Sequence, residues 1–429
     1  MSGSTFERRA WAIEIIRALR ASGHTAYLAG GCVRDELLGL KPKDFDIATD
    51  ATPDRVHQLF PRSELVGAAF GVVIVKGKLG MIEVATFRAD GHYADRRRPD
   101  SVTFSDALTD AQRRDFTVNA LFLDPLAPAE PSLTSSLGIT PGGRVIDYVG
   151  GVADLAAKTL RAVGDPDQRF AEDDLRVLRA VRFATRFGLS IEPATEAAIR
   201  RHAGQLAGIS RERVGEEMRR MLGSPARCAA IALIEKLELA APVLAGACIG
   251  SWPESTKALN ALPQDATPIL SAAAWLLDRG LPPDYRTMRS DPVSALRTSW
   301  VLSNDEISDL RSILASLHLL EREWGGLAEP RRKRAASSAG FTGALILLSG
   351  REPSAAAQIS GEVAQLAARH GGLAPEPFVT GDLLVAAGLT PGPDFKRILD
   401  QTYDAQLEGR VADAESALAF ALSMARKNG

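Results

Sequence analysis

Strand-like alternation is confined to the first 150 residues of this 429-residue chain, and helical periodicity takes over from 151 onward. A chain divided in this way builds a small head containing strands and a long helical remainder. The strand-like runs are TAYLAG (25–30), FDIAT (45–49), GVVIVKG (71–77), MIEVATF (81–87) and RVIDYV (144–149). The third and fourth read as two strands joined by a short turn around Gly77 and Gly80. WAIEIIRALRASG reads as a helix closed by Gly23 at its C′ position. Residues 125–143, rich in Pro, Gly, Ser and Thr, are expected to form a surface loop. Further on, EDDLRVLRAVRFATRFG, SRERVGEEMRRMLG (Ser210 as N-cap) and PILSAAAWLLDRG have the spacing of helices. No internal repeat is apparent. The expected fold class is α+β, with a mixed β-sheet in a head over 1–150. An extended all-helical part follows, divided at 151–220, 221–320 and 321–429.

Composition excludes several classes of protein. A 45% hydrophobic and 24% charged chain is ordinary for a globular protein, and no apolar run is long enough to span a bilayer. The first 23 residues lack an uncharged apolar stretch, and Glu7 and Glu14 argue against a transit peptide, so a cytoplasmic location is expected. Cys32, Cys228 and Cys248 lie far apart with no metal-ligand spacing, and are read as reduced and structural. A net charge of −2 does not announce nucleic-acid binding. Basic residues do cluster at Arg96-Arg97-Arg98, Arg113-Arg114, Arg219-Arg220 and Arg331-Arg332-Lys333-Arg334. Such runs are usually solvated faces unless a site elsewhere demands a polyanion.

Lys43-Asp44-Phe45-Asp46-Ile47 carries the most chemistry. On a strand, Asp44 and Asp46 project from one face while Phe45 and Ile47 point into the core. Two neighbouring carboxylates repel unless a cation sits between them, and magnesium, which takes one or two carboxylates plus phosphate, suits the pair. Alone, such a pair also fits a surface turn. Upstream, Ala29-Gly30-Gly31-Cys32-Val33-Arg34-Asp35 reads as strand, glycine turn and helix. This turn lets phosphate approach backbone N–H groups, with Arg34 adding donors; the alternative is a tight turn with an Arg34–Asp35 surface pair. Glu83 falls on the same face as Met81 and Ala85 and is the candidate third carboxylate for a two-metal phosphoryl transfer.

Taken in order, GGCVRD, the Asp44–Asp46 pair, RRDFTVNAL (113–121) and EDDLRVLRAVRF (172–183) resemble the class II tRNA nucleotidyltransferase/poly(A) polymerase family. Within it the chain is similar to the CCA-adding enzymes. The motifs span roughly residues 25–220; the helical remainder carries none. The resemblance implies a nucleotidyltransferase head, then a helical neck, body and tail. It also implies Gly30, Gly31 and Arg34 at the triphosphate and Asp44 and Asp46 on Mg2+. Arg114 and Asp115 would meet the incoming nucleotide, Asp115 at the ribose 2′-OH. For Asp115 the alternative is an N-cap beside a solvated arginine pair.

Asp173 and Arg176, three apart, are expected on one helix face. The common reading of such a pair is a surface ion pair; the family reading is that it replaces a template. The carboxylate accepts from an exocyclic amine while the guanidinium donates to the adjacent ring nitrogen. Cytosine and adenine offer that pattern, and uracil and guanine the reverse. A wrong base would leave two buried polar groups unpaired, at about 1–3 kcal/mol each. Arg179 and Arg182 follow at helical spacing as phosphate or base partners, with Arg186 structural or in contact with RNA.

The implied activity is addition of C, C and A from CTP and ATP to the 3′ end of tRNA, with no membrane involved. Family members lacking a flexible loop add only CC. Here Gly91–Asp100 carries that loop, reading Asp95-Arg96-Arg97 where Asp-Gly-Arg is usual. Its Tyr-x-Asp…Arg-Pro-Asp pattern favours CCA addition over poly(A) synthesis. The absence of a His-Asp dipeptide argues against an appended HD-type phosphohydrolase. Poly(A) polymerase, partial A or CC addition, and a non-catalytic RNA-binding protein remain alternatives.

Overall fold

The computed structural model describes residues 4–66, 71–91, 101–139, 141–282, 284–288, 291–369 and 371–426. Residues 92–100, which hold most of the expected flexible loop and the first arginine cluster, lie outside the described residues. By internal contacts the chain falls into two compact units, Met1–Glu217 with Ala232–Val243, and Met218–Ile231 with Leu244–Gly429.

The first unit opens with α1 (Thr5–Ala21), started by a capping box between Ser4 and Glu7 and burying Ala12, Ile15, Ile16 and Leu19 along one stripe. The helix stops at Ser22, and Gly23 adopts the left-handed backbone (φ +88) expected of a C′ glycine. β1 (Ala26–Ala29) leads into α2 (Gly31–Leu37), β2 (Asp46–Thr49), α3 (Pro53–Leu59) and β3 (Ser63–Glu64). β4 (Val72–Gly77) and β5 (Gly80–Thr86) form the expected hairpin. A separate pair, β6 (Arg88–Asp90) and β7 (Val102–Phe104), precedes α4 (Ala107–Gln112) and β8 (Phe122–Asp124). After α5 (Pro131–Thr134) comes β9 (Arg144–Ile146), closing a seven-stranded sheet of order β3-β4-β5-β2-β1-β8-β9. All its pairings are antiparallel except β2 with β5, so the sheet is mixed as expected.

Helices then take over, though not exclusively as expected, since Thr159–Leu160 pairs in parallel with Ser190–Ile191: α6 (Gly151–Ala156), α7 (Pro166–Glu172), α8 (Arg176–Phe187), α9 (Pro193–His202) and α10 (Arg211–Leu222). Four local expectations need correction. β2 begins at Asp46, so Asp44 precedes the strand, although Phe45 is still buried between them. β9 ends at Ile146 because the Asp147 carboxylate collects the N–H groups of Val149, Gly150, Gly151 and Val152, turning the chain into α6. The expected loop over 125–143 contains α5, begun by Pro131 at its first turn.

The fourth correction concerns function. Residues 172–183 are not one helix, because Asp173 is extended (φ −150, ψ 101) between α7 and α8. Its carboxylate accepts the Leu175 N–H at 3.1 Å and its carbonyl the Arg176 N–H at 3.0 Å. An aspartate that bonds backbone two residues on competes with helix continuation. Asp173 and Arg176 therefore do not share a helix face.

In the second unit, the helix Pro268–Asp278 is buried from Ile269 to Leu277, with Trp275 beside Trp300. Apolar on all sides, it is an interior helix. Val379, Leu384, Ile398, Ala405, Ala417 and Ala421 make a separate core further along. The basic run 331–334 is largely consumed internally. Lys333 is 1% exposed and donates to the Leu407 carbonyl at 2.8 Å, Arg332 pairs with Glu362, and Arg334 with Asp404. Arg331 is exposed. Among the described residues no helix is long and apolar enough to cross a membrane.

Candidate active site

The parallel register of β2 and β5 sets Asp46 directly beside Glu83. Ile47, Ile82 and Val84 point the other way and are buried, so both acids share the open face of the sheet. The Asp46 carboxyl is pushed up to about 6. Burial at the floor of a cavity is the main cause, followed by the charges of Glu83 and Asp44, with Arg114 acting oppositely. Glu83 is also raised, by burial, against the pull of Arg88. Two adjacent acids that both resist ionisation gain from a cation placed between them. Asp44, whose charge bears on Asp46, has a side chain 84% exposed and 3.7 Å from Arg8 Nη1, outside the lining of the cavity.

That cavity, about 610 Å³, gathers Gly30, Gly31, Arg34, Asp46, Glu83, Arg114, Asp115, Asp173, Arg176, Arg179 and Arg182. Gly30 holds φ +70 at the start of α2, where a Cβ would lie 2.7 Å from Arg114 Nη1. Arg34 does pair with Asp35, but the pair is buried rather than on the surface. Its Nε and Nη2 donate to Asp35 Oδ1 at 2.9 and 2.6 Å, and its Nη1 to Asn119 Oδ1.

Arg113 and Arg114 are not a solvated pair either, since both grip the carboxylate of Asp110, which is 1% exposed. Asp115 is not an N-cap. Its Oδ1 accepts from the Phe116 N–H at 2.9 Å and Asn119 Nδ2 at 3.0 Å, and its Oδ2 from Arg179 Nε and Nη2 at 2.8 and 2.6 Å. Burial opposes ionisation of Asp115, but Arg179 and Asn119 outweigh it and hold the carboxyl down at about 2.

The two candidate base-reading residues have separate partners. Asp173 Oδ2 accepts from Arg213 Nη2 at 2.7 Å, while Arg176 Nη1 donates to Glu172 and, at 2.7 Å, to the Arg169 carbonyl. Arg182 donates to Glu217 at 2.6 Å, and Arg186 lies 3.9 Å from Asp35.

The reading of the sequence missed Asn119, which bridges Arg34 and Asp115, and the aromatic pair Phe183 and Phe187. Spacing held a signal for both: Asn119 lies four past Asp115, and the phenylalanines are four apart on α8. Arg213 and Glu217 reach the site from α10, a long-range contact with no local signature.

The donor set suits a hard divalent cation, since Asp46 and Glu83 offer adjacent oxygens with no hydrogen-bonded cation between them among the described residues. Among the described residues no three His, Cys, Asp or Glu side chains converge closely enough to form a finished cage. Such a cation would therefore draw further ligands from phosphate and water. The cavity as a whole can seat a polyanion on arginines with its reacting phosphate near the acid pair.

Residues 26–161 match the family model of the poly A polymerase head domain, and residues 188–248 that of a probable RNA- and SrmB-binding site of polymerase A. The CCA-adding enzyme of Lactiplantibacillus plantarum is 34% identical over 414 residues, covering 94% of this chain and 93% of that protein. The CCA-adding enzyme of Geobacillus stearothermophilus is 42% identical over 238 residues, so there the match spans about half of each, 55%. Among solved structures, the Bacillus stearothermophilus CCA-adding enzyme in complex with CTP superposes with a TM-score of 0.72 at 28% identity, covering 99% of this chain and 98% of that one. The acid pair on the mixed sheet, the four ordered motifs and this near full-length similarity agree: the chain belongs to the tRNA nucleotidyltransferase/poly(A) polymerase family, among its CCA-adding enzymes.

Proposed function

We propose that this protein adds C, C and A, without a nucleic-acid template, to the 3′ end of tRNA, consuming CTP and ATP and releasing pyrophosphate. The observation that carries the reading is the Asp46–Glu83 register pair, facing the same cavity as Asp173 and nine arginines, Arg176 among them. Catalysts of phosphoryl transfer work chiefly by positioning and charge stabilisation, and this cavity offers both.

The roles divide as follows. Gly30 and Gly31 let the triphosphate approach the backbone, and Arg34 and Arg114 present donors to it. Asp115, fixed by Arg179 and Asn119, meets the ribose. Asp173 accepts from the base amine, because a carboxylate has about four lone-pair sites and only two are occupied here. Arg176 donates to the ring nitrogen, and Arg179 and Arg182 complete the cationic wall. Asp46 and Asp44 would hold Mg2+ with Glu83 alongside; when bound it supplies Lewis-acid stabilisation of the phosphate. Glu83 receives the proton of the attacking 3′ hydroxyl. In this reading residues 1–150 are the head, 151–220 the neck, 221–320 the body and 321–429 a tail that holds tRNA, all working in the cytoplasm.

The test is Asp46→Asn. Nucleotide incorporation into tRNA lacking its end should fall by about a hundredfold or more, with tRNA affinity retained. Full activity in an Asp44→Ala, Asp46→Ala double variant would overturn the acid assignment.

A further inference from the structure

The cationic wall of the cavity is assembled around two aromatic rings to which the reaction itself assigns no role. Phe183 and Phe187, one turn apart on α8, stack at 6.2 Å between centroids with an interplanar angle of 15°. The Arg34 guanidinium carbon sits 4.2 Å from the Phe187 centroid and 5.3 Å from that of Phe183. Arg182 lies over Phe183 at 4.3 Å and Arg179 at 5.2 Å, while Arg186 lies over Phe187 at 4.9 Å. Four guanidinium groups are thus gathered on two rings. Phe183 is itself anchored edge-on against Phe116, which is fully buried.

Such crowding needs an organiser. Carboxylates alone would serve poorly, because each salt bridge neutralises the charge a phosphate needs. An aromatic face attracts a cation while leaving its charge and in-plane N–H groups available. Each of the four also meets a carboxylate, Asp35, Asp115 or Glu217, so the rings add hold without consuming further N–H groups; Arg34 spends one bond per nitrogen on Asp35 and Asn119. A guanidinium has five N–H donors in its plane, so two remain for an incoming anion, and the Phe187 ring centroid lies 4.2 Å from the guanidinium carbon. Phe187 is half-buried where Phe183 is buried, so it can be altered with less damage to the core.

We propose that Phe187, supported by Phe183, is a positioning residue for nucleotide binding, holding Arg34 and Arg186 in register to receive the triphosphate of either nucleotide. This deepens the proposed function and rests on it. Because the ring acts on phosphate and not on the base, its loss weakens CTP and ATP alike and leaves base choice untouched.

The test compares wild type with Phe187→Leu and Phe187→Tyr. Inorganic tripolyphosphate binding is measured by calorimetry, and KM, kcat and the C-over-U preference are measured on tRNA lacking its end. Phe187→Leu should weaken tripolyphosphate by about tenfold and raise KM for CTP and ATP by the same factor. Its kcat and C-over-U preference should stay within about twofold, and Phe187→Tyr should restore binding. Thermal unfolding establishes that Phe187→Leu is folded; if it is not, the same comparison is made with Phe187→Met. Unchanged tripolyphosphate affinity in the folded variant would overturn the proposal, as would a fall in kcat alone or an altered base preference. The calorimetric arm needs no turnover. A wild type that binds tripolyphosphate but incorporates neither nucleotide would count against the proposed function and not against the ring.

Discussion

Asp115 and Arg179, 64 positions apart in the chain, are joined by two hydrogen bonds of 2.8 and 2.6 Å from the guanidinium to a single carboxylate oxygen. The pair ties the loop after α4 to α8 and fixes Asp115 in the cavity. Its folded carboxyl titrates near 2, below the usual value of 3.8. The stabilisation is therefore fully present above about pH 4 and is lost as pH falls through 2. Asp115→Asn should lower unfolding free energy at pH 6 by about 2 kcal/mol, since Arg179 keeps part of its hydration. Urea unfolding should find the gap between variant and wild type closing between pH 4 and pH 2. A gap independent of pH would contradict the pairing.

Gly30 occupies a backbone conformation that a side chain strains, beside the guanidinium of Arg114. At φ +70, with a hypothetical Cβ 2.7 Å from Arg114 Nη1, Gly30→Ala strains the backbone and displaces an arginine of the site. The expected result is a stability loss of about 1–2 kcal/mol together with a raised KM for both nucleotides. Calorimetric melting and steady-state kinetics check the two halves independently.

Base choice should reside in Asp173 and Arg176 despite their separation by a helix break. Asp173→Ala removes the acceptor for the amine of cytosine and adenine. The preference for CTP over UTP should fall by roughly tenfold or more, the equivalent of one unpaired buried group. Competition between the two nucleotides in one reaction measures this ratio, and an unchanged ratio would remove Asp173 from the reading.

Lys333 is a structural cation. Buried and bonded to the Leu407 carbonyl, with Glu329 3.4 Å away, it joins two helices of the second unit. Lys333→Ala should cost about 2–3 kcal/mol of stability. The slope of log affinity for tRNA against log salt should not change, because no phosphate contact is lost. A slope reduced by about one would show instead that Lys333 meets the RNA backbone.

Legibility varied with the range of the interaction. The hairpin and the Gly23 stop follow from local periodicity and turn chemistry, and the sequence alone placed them; the register that sets Glu83 beside Asp46 is a long-range pairing. The break at Asp173 was missed because an apolar stripe continues through Leu175, Val177 and Leu178, while the side chain that interrupts the helix is a single capping carboxylate. The cluster 331–334 looked like a free basic patch because its partners, Glu362, Asp404 and the Leu407 carbonyl, lie 30 to 74 positions away. Arg213 and Glu217 were invisible for the same reason. What sequence conveyed about the site was its chemistry; what it withheld was which charges were already spoken for.

The most direct test of the central claim is nucleotide incorporation into tRNA stripped of its last three residues, with each nucleotide supplied alone and in combination. The account predicts two additions with CTP alone, a single further addition once ATP joins it, and none with UTP or GTP. Long A tails formed from ATP without CTP would contradict it.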